Sequence, residues 1–523
     1  EIGVRLVGSE MCIRDSLIAS IPLTRTPSVS STSWTILALV VYFVAMIGIG
    51  LYAFRKTTSH EGYMLADRQL HPFTAALSAG ASDMSGWLLM GLPGAIYISG
   101  LCEAWIAVGL TVGAWLNWKI VAPRLRSYSV VTQDSITIPT FLENRLHDSS
   151  HVLRICSGLV ILFFFTFYVS SGMVAGGTFF QATFGTSYLT GMLIVSGVVV
   201  LYTFVGGFLA VSYTDVVQGL LMMTALIAIP ITAVVSLGGF SETTDIIRTS
   251  FPDHFSMVHG VAPLTIVSAL GWGLGYVGQP HIIVRFMALR SPREAAYGRR
   301  VGTTWMAVSI LGAIATGLVG CAYLHVDGHE LTESQQTAET VFLVMGQKLF
   351  HPFLAGVVLA AVLAAIMSTI SSQLLVTSSV LVEDLYRGIF KKKVSQRRLV
   401  LLSRFAVLAV AIVAALLAIP RSNTILELVA FAWAGFGAAF GPIIVLSLWW
   451  KRLTKEGAIA GLLTGAVVVA VWGFTPVLSS LIYEMIPGFC ANMLVAVIVS
   501  YLTKPPSEQV VAEFEKAVKD SRE

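Results

Sequence analysis

Charged side chains are scarce in this sequence of 523 residues: they make up 12% of it, against 55% hydrophobic residues, and the mean hydropathy is +0.79. A typical soluble protein carries about twice that charged share, so this chain cannot cover a surface that faces water. Its apolar runs repeatedly reach the ~20 residues that a helix needs to cross a bilayer. The net charge of +4 is small and dispersed, which argues against a nucleic-acid partner. The composition predicts a polytopic membrane protein.

Cysteine is also rare. The five cysteines lie far apart in the sequence, at Cys12, Cys102, Cys156, Cys321 and Cys490. They form no C-x-x-C pair and have no neighbouring histidine pair, which argues against a zinc site, a redox motif or a disulfide framework. The apolar windows likewise lack paired acids, a histidine cluster or a nucleophile beside a base, so we do not expect an intramembrane enzyme.

Residues 1–33 match neither a membrane span nor a targeting segment. They are polar and mixed, and they begin without an initiating Met. A signal peptide would carry a basic stretch, an apolar stretch and a small-residue cleavage site in that order. We therefore expect this segment to be extraneous or disordered. The transmembrane domain is then expected over 34–504, with a cytoplasmic tail over 505–523.

Thirteen apolar windows predict membrane-spanning helices. They lie at about 34–54, 73–98, 104–123, 153–183, 190–211, 214–237, 262–288, 302–324, 352–383, 400–419, 424–449, 457–477 and 485–502. Most arginine and lysine falls in what we interpret as the loops of one face, including Arg285, Arg290 and Lys451. By the positive-inside rule this face is cytoplasmic. Since thirteen is odd, the N-terminus is then expected outside and the C-terminus inside.

The second and seventh windows do not resemble helices that face lipid. Leu77–Gly94 contains four glycines and the intramembrane Asp83, and Ala269–His281 contains four glycines and Pro280. Glycine weakens helix interiors and proline removes an amide donor. Close packing through small residues is one explanation. However, the polar residues and glycines encircle the helix instead of following one stripe, which favours two discontinuous helices.

The two unusual windows are five apart. Because five is odd, spans 2–6 and 7–11 would form two inverted five-helix units, at about 73–237 and 262–449. Interrupted helices at corresponding positions of two repeats indicate a secondary transporter with a binding site near the bilayer midplane.

Hydroxyl groups crowd one turn of the ninth window, at Ser368, Thr369, Ser371 and Ser372. Such groups often bond to the preceding turn of their own helix. Alternatively, two of them would join carbonyls freed in the second window as the oxygen ligands that a hard cation such as Na⁺ prefers. Asp83 is the principal acid of this core. It would either attract the ion without ligating it or stabilise the N-terminal end of a half-helix.

The run SAGASDMSGWLLMGLPGA, Ser78–Ala95, closely resembles the sodium/proline symporters of the solute:sodium symporter family. Three further segments reinforce the resemblance, namely Phe204–Asp215, Gly271–His281 and Ala432–Pro442. At family level the match extends from about residue 34 to about residue 505. It implies an all-α membrane protein with thirteen spans and the five-plus-five inverted repeat of the leucine-transporter-like fold.

The resemblance also implies site residues, carried over by position. Sodium would be bound by three carbonyls and two hydroxyls, those of Ala81, Met84, Ala365, Ser368 and Thr369. The proline pocket would involve Ser85, Gly86, Tyr168, Trp272, Tyr276 and Pro280. Asp83 matches the aspartate that the family needs for sodium dependence, and Arg68 matches a functionally important cytoplasmic arginine.

The leading hypothesis is sodium-dependent uptake of L-proline across the inner membrane by alternating-access symport. Na⁺ would be the coupling ion, membrane lipid the surroundings, and no organic cofactor would be needed. A sodium-coupled symporter for another small organic solute would share the fold and differ only in its pocket. A channel or a membrane sensor is the alternative from another class. A sensor would need an appended signalling domain, and counterflow accumulation would exclude a channel.

Overall fold

The computed structural model describes residues 29–56, 65–331, 334–387, 396–420 and 424–522, and it contains no β-strand within them. The expected extraneous segment 1–33 lies outside these residues except for its last five, which already belong to the first helix. An all-helical chain suits a membrane because each helix satisfies its own backbone hydrogen bonds in lipid.

The α-helices have the following bounds in chain order: α1 Val29–Lys56, α2 Pro72–Asp83, α3 Leu92–Ser99, α4 Ala104–Leu116, α5 Ala122–Val131, α6 Ile138–Leu146, α7 Val152–Phe184, α8 Tyr188–Ser236, α9 Phe240–Ser250, α10 Pro263–Gly271, α11 Pro280–Met287, α12 Ala295–Asp327, α13 Gln335–Ala338, α14 Val341–Leu349, α15 Pro352–Ser379, α16 Gln396–Ala418, α17 Ile425–Trp449, α18 Lys455–Gly473, α19 Pro476–Ser479, α20 Met485–Leu502 and α21 Glu508–Asp520. Within the described ranges three π-helical segments adjoin them, at Trp87–Gly91, Asn117–Val121 and Val380–Arg387. Short 3₁₀ helices lie at Ala66–Arg68, Gly100–Glu103, Pro252–Phe255, Trp272–Gly278 and Pro292–Glu294.

Ten helical stretches within the described ranges are long and apolar enough to cross a membrane, and Tyr188–Leu201 and Pro263–Gly278 are shorter apolar helices. Each of the thirteen predicted windows overlaps a helix. The number of thirteen crossings itself stays a prediction. One predicted boundary is wrong: the chain changes direction inside α8 at Gly207 (φ 64°, ψ −174°), not at 212–213. Only glycine adopts that conformation readily.

The centre of the bundle is α15. In its most apolar window 83% of the residues are buried, against 28% in α1. Its middle runs through alanines and hydroxyl residues, whose small side chains let α1, α7 and α8 pack closely around it. The hydroxyl-rich turn predicted in the ninth window therefore lies in the most enclosed part of the molecule.

Both predicted helix interruptions are present. The second span stops at Asp83, and Met84 leaves the helical region (φ −75°, ψ 75°) before the π-helical segment begins at Trp87. We call Met84–Gly86 the first break. In the seventh span, α10 gives way to the 3₁₀ stretch and then to Gln279 in an extended conformation. We call Trp272–Gln279 the second break.

The second break lies directly against the backbone of α4. A Cβ atom on Gly113 would collide with the carbonyl oxygen of Gly273, and one on Gly109 would lie 2.6 Å from the carbonyl oxygen of Leu270. The two backbones therefore touch with no side chain between them. We call these residues, Gly109, Gly113, Leu270 and Gly273, the glycine seam.

The predicted tail contains the amphipathic helix α21. Ser507 caps its N-terminus, and Val510, Phe514 and Ala517 are buried. The Phe514 ring packs edge-on against Tyr128 of α5, with the ring centroids 6.1 Å apart. The helix is thus docked on the bundle at the end of α5.

Candidate functional site

Oxygen atoms of α2 and α15 meet beside the first break. The Ser368 hydroxyl oxygen lies 2.7 Å from the carbonyl oxygen of Ala81 and 3.1 Å from that of Ala365. The next hydroxyl, that of Thr369, is buried and has no hydrogen-bond partner in the described part of the chain. Met84 is the first residue outside α2, so its carbonyl lies beyond the regular helical pattern. Of the five residues predicted to bind Na⁺, Ser368 thus contacts two others, Ala81 and Ala365.

This donor set suits a hard monovalent cation. It consists of main-chain carbonyls and hydroxyls, which are neutral oxygen ligands, whereas transition metals favour imidazole and thiolate. No three His, Cys, Asp or Glu side chains within the described ranges cluster so as to hold a metal ion. An unpartnered buried hydroxyl such as that of Thr369 is costly unless something else bonds to it. These residues therefore fit Na⁺.

Asp83 connects the two breaks. Its carboxylate oxygen Oδ2 accepts a hydrogen bond from the Tyr276 hydroxyl, and its Oδ1 is buried without a partner in the described part of the chain. Its carbonyl oxygen accepts from the Trp87 indole at 3.1 Å and from the Tyr168 hydroxyl at 3.5 Å. The amide of Trp87 donates to the Ser85 hydroxyl at 3.4 Å, at the start of the second half of the broken span.

Two side chains from other spans hold the backbone of the second break. The Trp433 indole donates to the Trp272 carbonyl at 2.8 Å, and the Asn117 amide donates to the Tyr276 carbonyl at 2.9 Å. Gln279 returns a bond to the Trp433 carbonyl at 3.1 Å. Sequence reasoning did not identify Trp433 or Asn117 as site residues, although a lone amide in an apolar window was a usable signal.

The predicted substrate residues fall into three groups. Ser85, Tyr168 and Tyr276 gather around Asp83, and a pocket beside Asp83 and Tyr276 is also lined by Asn117 and Met306.

Trp272 and Gly86 flank that group. Trp272 stacks on Tyr483, with the ring centroids 5.2 Å apart and the planes 19° from parallel. Gly86 lies so close to α7 that an added Cβ would approach the Ala175 side chain to 2.8 Å.

Pro280 borders a different pocket, together with Thr137, Phe208 and Val284. The structure therefore does not place all six predicted substrate residues around one cavity.

Arg68 lies away from both breaks. It is buried, and its guanidinium donates to the Ser129 hydroxyl at 3.0 Å, to the Met287 carbonyl at 3.1 Å and to the Ser135 carbonyl at 2.9 Å. Arg68 thus ties the end of α11 to the segment around the end of α5. It supports the architecture on one side of the candidate site and does not line it.

Arg285 lies inside the bundle, and the prediction that it belongs to a basic loop is wrong. It is 1% exposed inside the bundle, where its guanidinium pairs with Asp215 at 3.2 Å and donates to the Ser372 hydroxyl at 2.8 Å and the Ser78 hydroxyl at 3.0 Å. A buried arginine needs such partners. The missed signal was Asp215, an acid at the edge of a predicted span.

Similarity to known proteins extends over most of the chain. The model of the Sodium:solute symporter family matches residues 63–465. The high-affinity proline transporter PutP of Bacillus subtilis (strain 168) is 55% identical over 469 residues, which are 90% of this chain and 98% of that protein. The sodium/proline symporter of Escherichia coli (strain K12) is 48% identical over 477 residues, 91% of this chain and 95% of the relative. These relatives are transporters.

Solved structures share the fold at low sequence identity. A Na⁺-coupled sialic acid symporter in a substrate-bound outward-open state has a TM-score of 0.76 at 19% identity, covering 91% of this chain and 99% of its own. A nucleobase-cation-symport-1 family transporter in a closed conformation has a TM-score of 0.54 at 16% identity, covering 88% of this chain and 100% of its own. The predicted leucine-transporter-like fold of two inverted five-helix repeats is confirmed at the level of overall architecture.

Proposed function

This chain belongs to the sodium:solute symporter family, and we propose that it takes up L-proline together with Na⁺ by alternating access. The observation that carries the proposal is the 55% identity to a proline transporter over 98% of that relative. The two joined breaks support it, because a substrate bound there would contact both inverted repeats at once.

In this proposal Na⁺ lies between α2 and α15. The carbonyls of Ala81, Met84 and Ala365 and the hydroxyls of Ser368 and Thr369 would bind it. The contact of Ser368 with two of those carbonyls supports the assignment, since a cation among the three oxygens would take over the stabilising role of the hydroxyl proton. Asp83 would make the site favourable for a cation through its charge while its carboxylate stays with Tyr276.

Proline would bind against the two breaks. Aromatic side chains of Tyr168, Trp272 and Tyr276 would enclose the pyrrolidine ring, which is apolar. The half-helix that begins beside Ser85 and Gly86 would face the carboxylate, because amide groups at a helix N-terminus favour negative charge. Pro280, which has no amide hydrogen, would border the site on the side of the other pocket. The rings that now pack on one another, such as Trp272 on Tyr483, would separate to admit the substrate.

The protein would lie in the inner, cytoplasmic membrane in contact with lipid, with the N-terminus outside and the C-terminus inside. The excess of basic residues in the loops of one face supports this orientation. Arg68 would then act on the cytoplasmic side by fixing the end of α11. No organic cofactor, enzymatic step or nucleic-acid partner enters the proposal.

Purified protein in proteoliposomes tests the proposal. A membrane potential of ~100 mV supplies about 2.3 kcal/mol per Na⁺, and a tenfold Na⁺ gradient adds about 1.4 kcal/mol. One Na⁺ per proline would therefore support accumulation of roughly several hundred-fold. Radiolabelled proline should accumulate only with an inward Na⁺ gradient or potential. Equal uptake after both are collapsed would overturn coupling, and absence of counterflow would favour a channel.

A further inference from the structure

A narrow pocket lies between Pro280 and the segment that leads into α6. Its walls are formed by residues 136–139, by Ile161 of α7, by Phe208 of α8, by Pro280 and Val284 of α11, and by the last turns of α15. It has room for about one water molecule and none for an amino acid. A solute leaving the second break in this direction could pass only if one wall moved.

One of these walls differs from the others. The walls from α7, α8, α11 and α15 belong to membrane helices, whereas residues 136–139 open α6, a nine-residue helix outside the predicted spans. Thr137 is the N-cap of this helix, since its hydroxyl oxygen accepts from the Thr140 amide at 3.1 Å. The wall is therefore continuous with the capped start of α6.

A buried carboxylate holds that wall to α15. Asp384, in the π-helical segment that continues α15, is 0% exposed. Its Oδ1 accepts from the hydroxyls of Thr137 at 2.9 Å and Thr140 at 2.8 Å and from the guanidinium of Arg154 at 2.9 Å. Arg154 also donates to the Glu383 carbonyl at 2.7 Å. Bonds to an ionised group are stronger than neutral ones, so this contact is a firm attachment.

We propose that this pocket is the cytoplasmic exit of the substrate path, and that Thr137, Thr140, Arg154 and Asp384 form a latch that keeps its wall closed. The inference rests on the proposed function for the identity of the solute, proline. When the latch opens, α6 leaves the end of α15 and the pocket widens below Pro280. When it closes, the same four side chains seal the path and return the carboxylate to its three donors.

Chemical access to the pocket tests the latch. The parent protein carries Val376→Cys, at a residue that lines the pocket, with the five native cysteines replaced by serine. Inside-out vesicles are treated with a membrane-impermeant maleimide. We expect Asp384→Asn to raise the labelling rate of the new cysteine about tenfold, because weaker acceptance of three hydrogen bonds shifts the population toward the open wall.

A matched control is Glu515→Gln, which makes the same acid-to-amide change in an exposed pair with Lys451, 3.6 Å apart. Its labelling rate should equal that of the parent. Thr140→Val removes one donor and leaves Thr137 and Arg154 in place, so it should raise the rate about threefold. If Asp384→Asn fails to insert in the membrane, the labelling rate of Thr140→Val still tests the latch. Unchanged labelling in the inserted variants would overturn the latch.

The labelling measurement needs no substrate, which separates this inference from the proposed function. If the parent fails to accumulate proline but Asp384→Asn and Thr140→Val are labelled faster than the parent, the proposed substrate is overturned and the latch is supported. Sodium-driven proline uptake with labelling rates equal in parent, Thr140→Val and Asp384→Asn would overturn the latch alone.

Discussion

Both helix breaks free backbone groups from their helical hydrogen bonds, and different kinds of residue bond to those groups at the two breaks. In the first break the bonds are local: Ser85 N–H donates to the Asp83 carbonyl at 2.8 Å, and Trp87 bonds to both Ser85 and Asp83. In the second break the donors to the backbone are Asn117 and Trp433, which lie about 160 positions away in the sequence. The first break is supported mainly by its own residues, with one long bond from the Tyr168 hydroxyl to the Asp83 carbonyl at 3.5 Å, and the second is supported by neighbouring spans.

This difference indicates a division of roles. A locally supported break keeps its shape when neighbouring spans move, which suits a site that fixes an ion among several oxygens. A break held by other spans changes shape with them, which suits a pocket that must open and close around a solute. We therefore expect substitutions at the proposed Na⁺ ligands beside the first break to change the Na⁺ requirement, and substitutions of the residues that hold the second break to change the proline requirement.

The largest effect is expected from Trp272→Ala, which removes the ring that stacks on Tyr483 in the second break. Truncating a buried aromatic costs about 3–5 kcal/mol in a folded core, and water or a bulkier solute refills an open site. The proline concentration for half-maximal uptake should rise about 100-fold, with the sodium concentration little changed. Competition by larger cyclic and branched amino acids in proteoliposomes checks this, because their ranking should also change. An unchanged affinity and ranking would remove Trp272 from the pocket.

Trp433→Phe should have the next largest effect. It keeps an aromatic side chain, although a smaller one, and leaves the buried Trp272 carbonyl without its donor, a loss of about 1–3 kcal/mol. The half-saturating proline concentration should rise about 30-fold. Trp472→Phe is the control, since its indole donates to the Ile482 carbonyl at 3.0 Å away from both breaks. If both variants behave alike, the second break does not depend on Trp433.

Thr369→Ala tests the first break. It deletes one hydroxyl of the proposed Na⁺ site, so the sodium concentration for half-maximal uptake should rise about tenfold and high sodium should restore transport. Thr377→Ala on the same helix is the control, because the Thr377 hydroxyl already bonds to the Gln373 carbonyl at 2.6 Å. Sodium titrations of proline uptake distinguish the two. Loss of proline affinity at saturating sodium would contradict the assignment.

The smallest effect is expected from Asn117→Ala. The proline concentration for half-maximal uptake should rise only about threefold, since water in the pocket beside Tyr276 can replace the lost donor. Asn492→Ala provides the contrast. Asn492 donates to the Ala438 carbonyl at 2.6 Å, a group that Pro442 leaves without its helical partner. That variant should lower the unfolding temperature without changing the proline concentration. The same result for Asn117→Ala would assign it a purely structural role.

Apolar runs were sufficient to locate the helices, because length and hydropathy in lipid are local properties. Glycine and proline content likewise located both breaks. The direction change at Gly207 was misplaced, since a single glycine conformation leaves little trace in hydropathy. The side-chain partners of Asp384 and Arg285 lie 70 to 247 positions away, so no local pattern could pair them. The Na⁺ and proline residues came from the family resemblance, and they remain predictions.

The glycine seam has a mechanical consequence. Helices packed through interlocking side chains resist sliding, because each step forces rotamers to change. Along Gly109, Gly113 and Gly273 there are no side chains to interlock, and carbonyl oxygens face bare α-carbons. The second break can therefore slide along α4 without forcing side chains to change rotamer, and the surrounding packing need not rearrange. A methyl group added at Gly109, Gly113 or Gly273 would collide with the facing backbone and block this sliding, while every proposed ligand would stay in place.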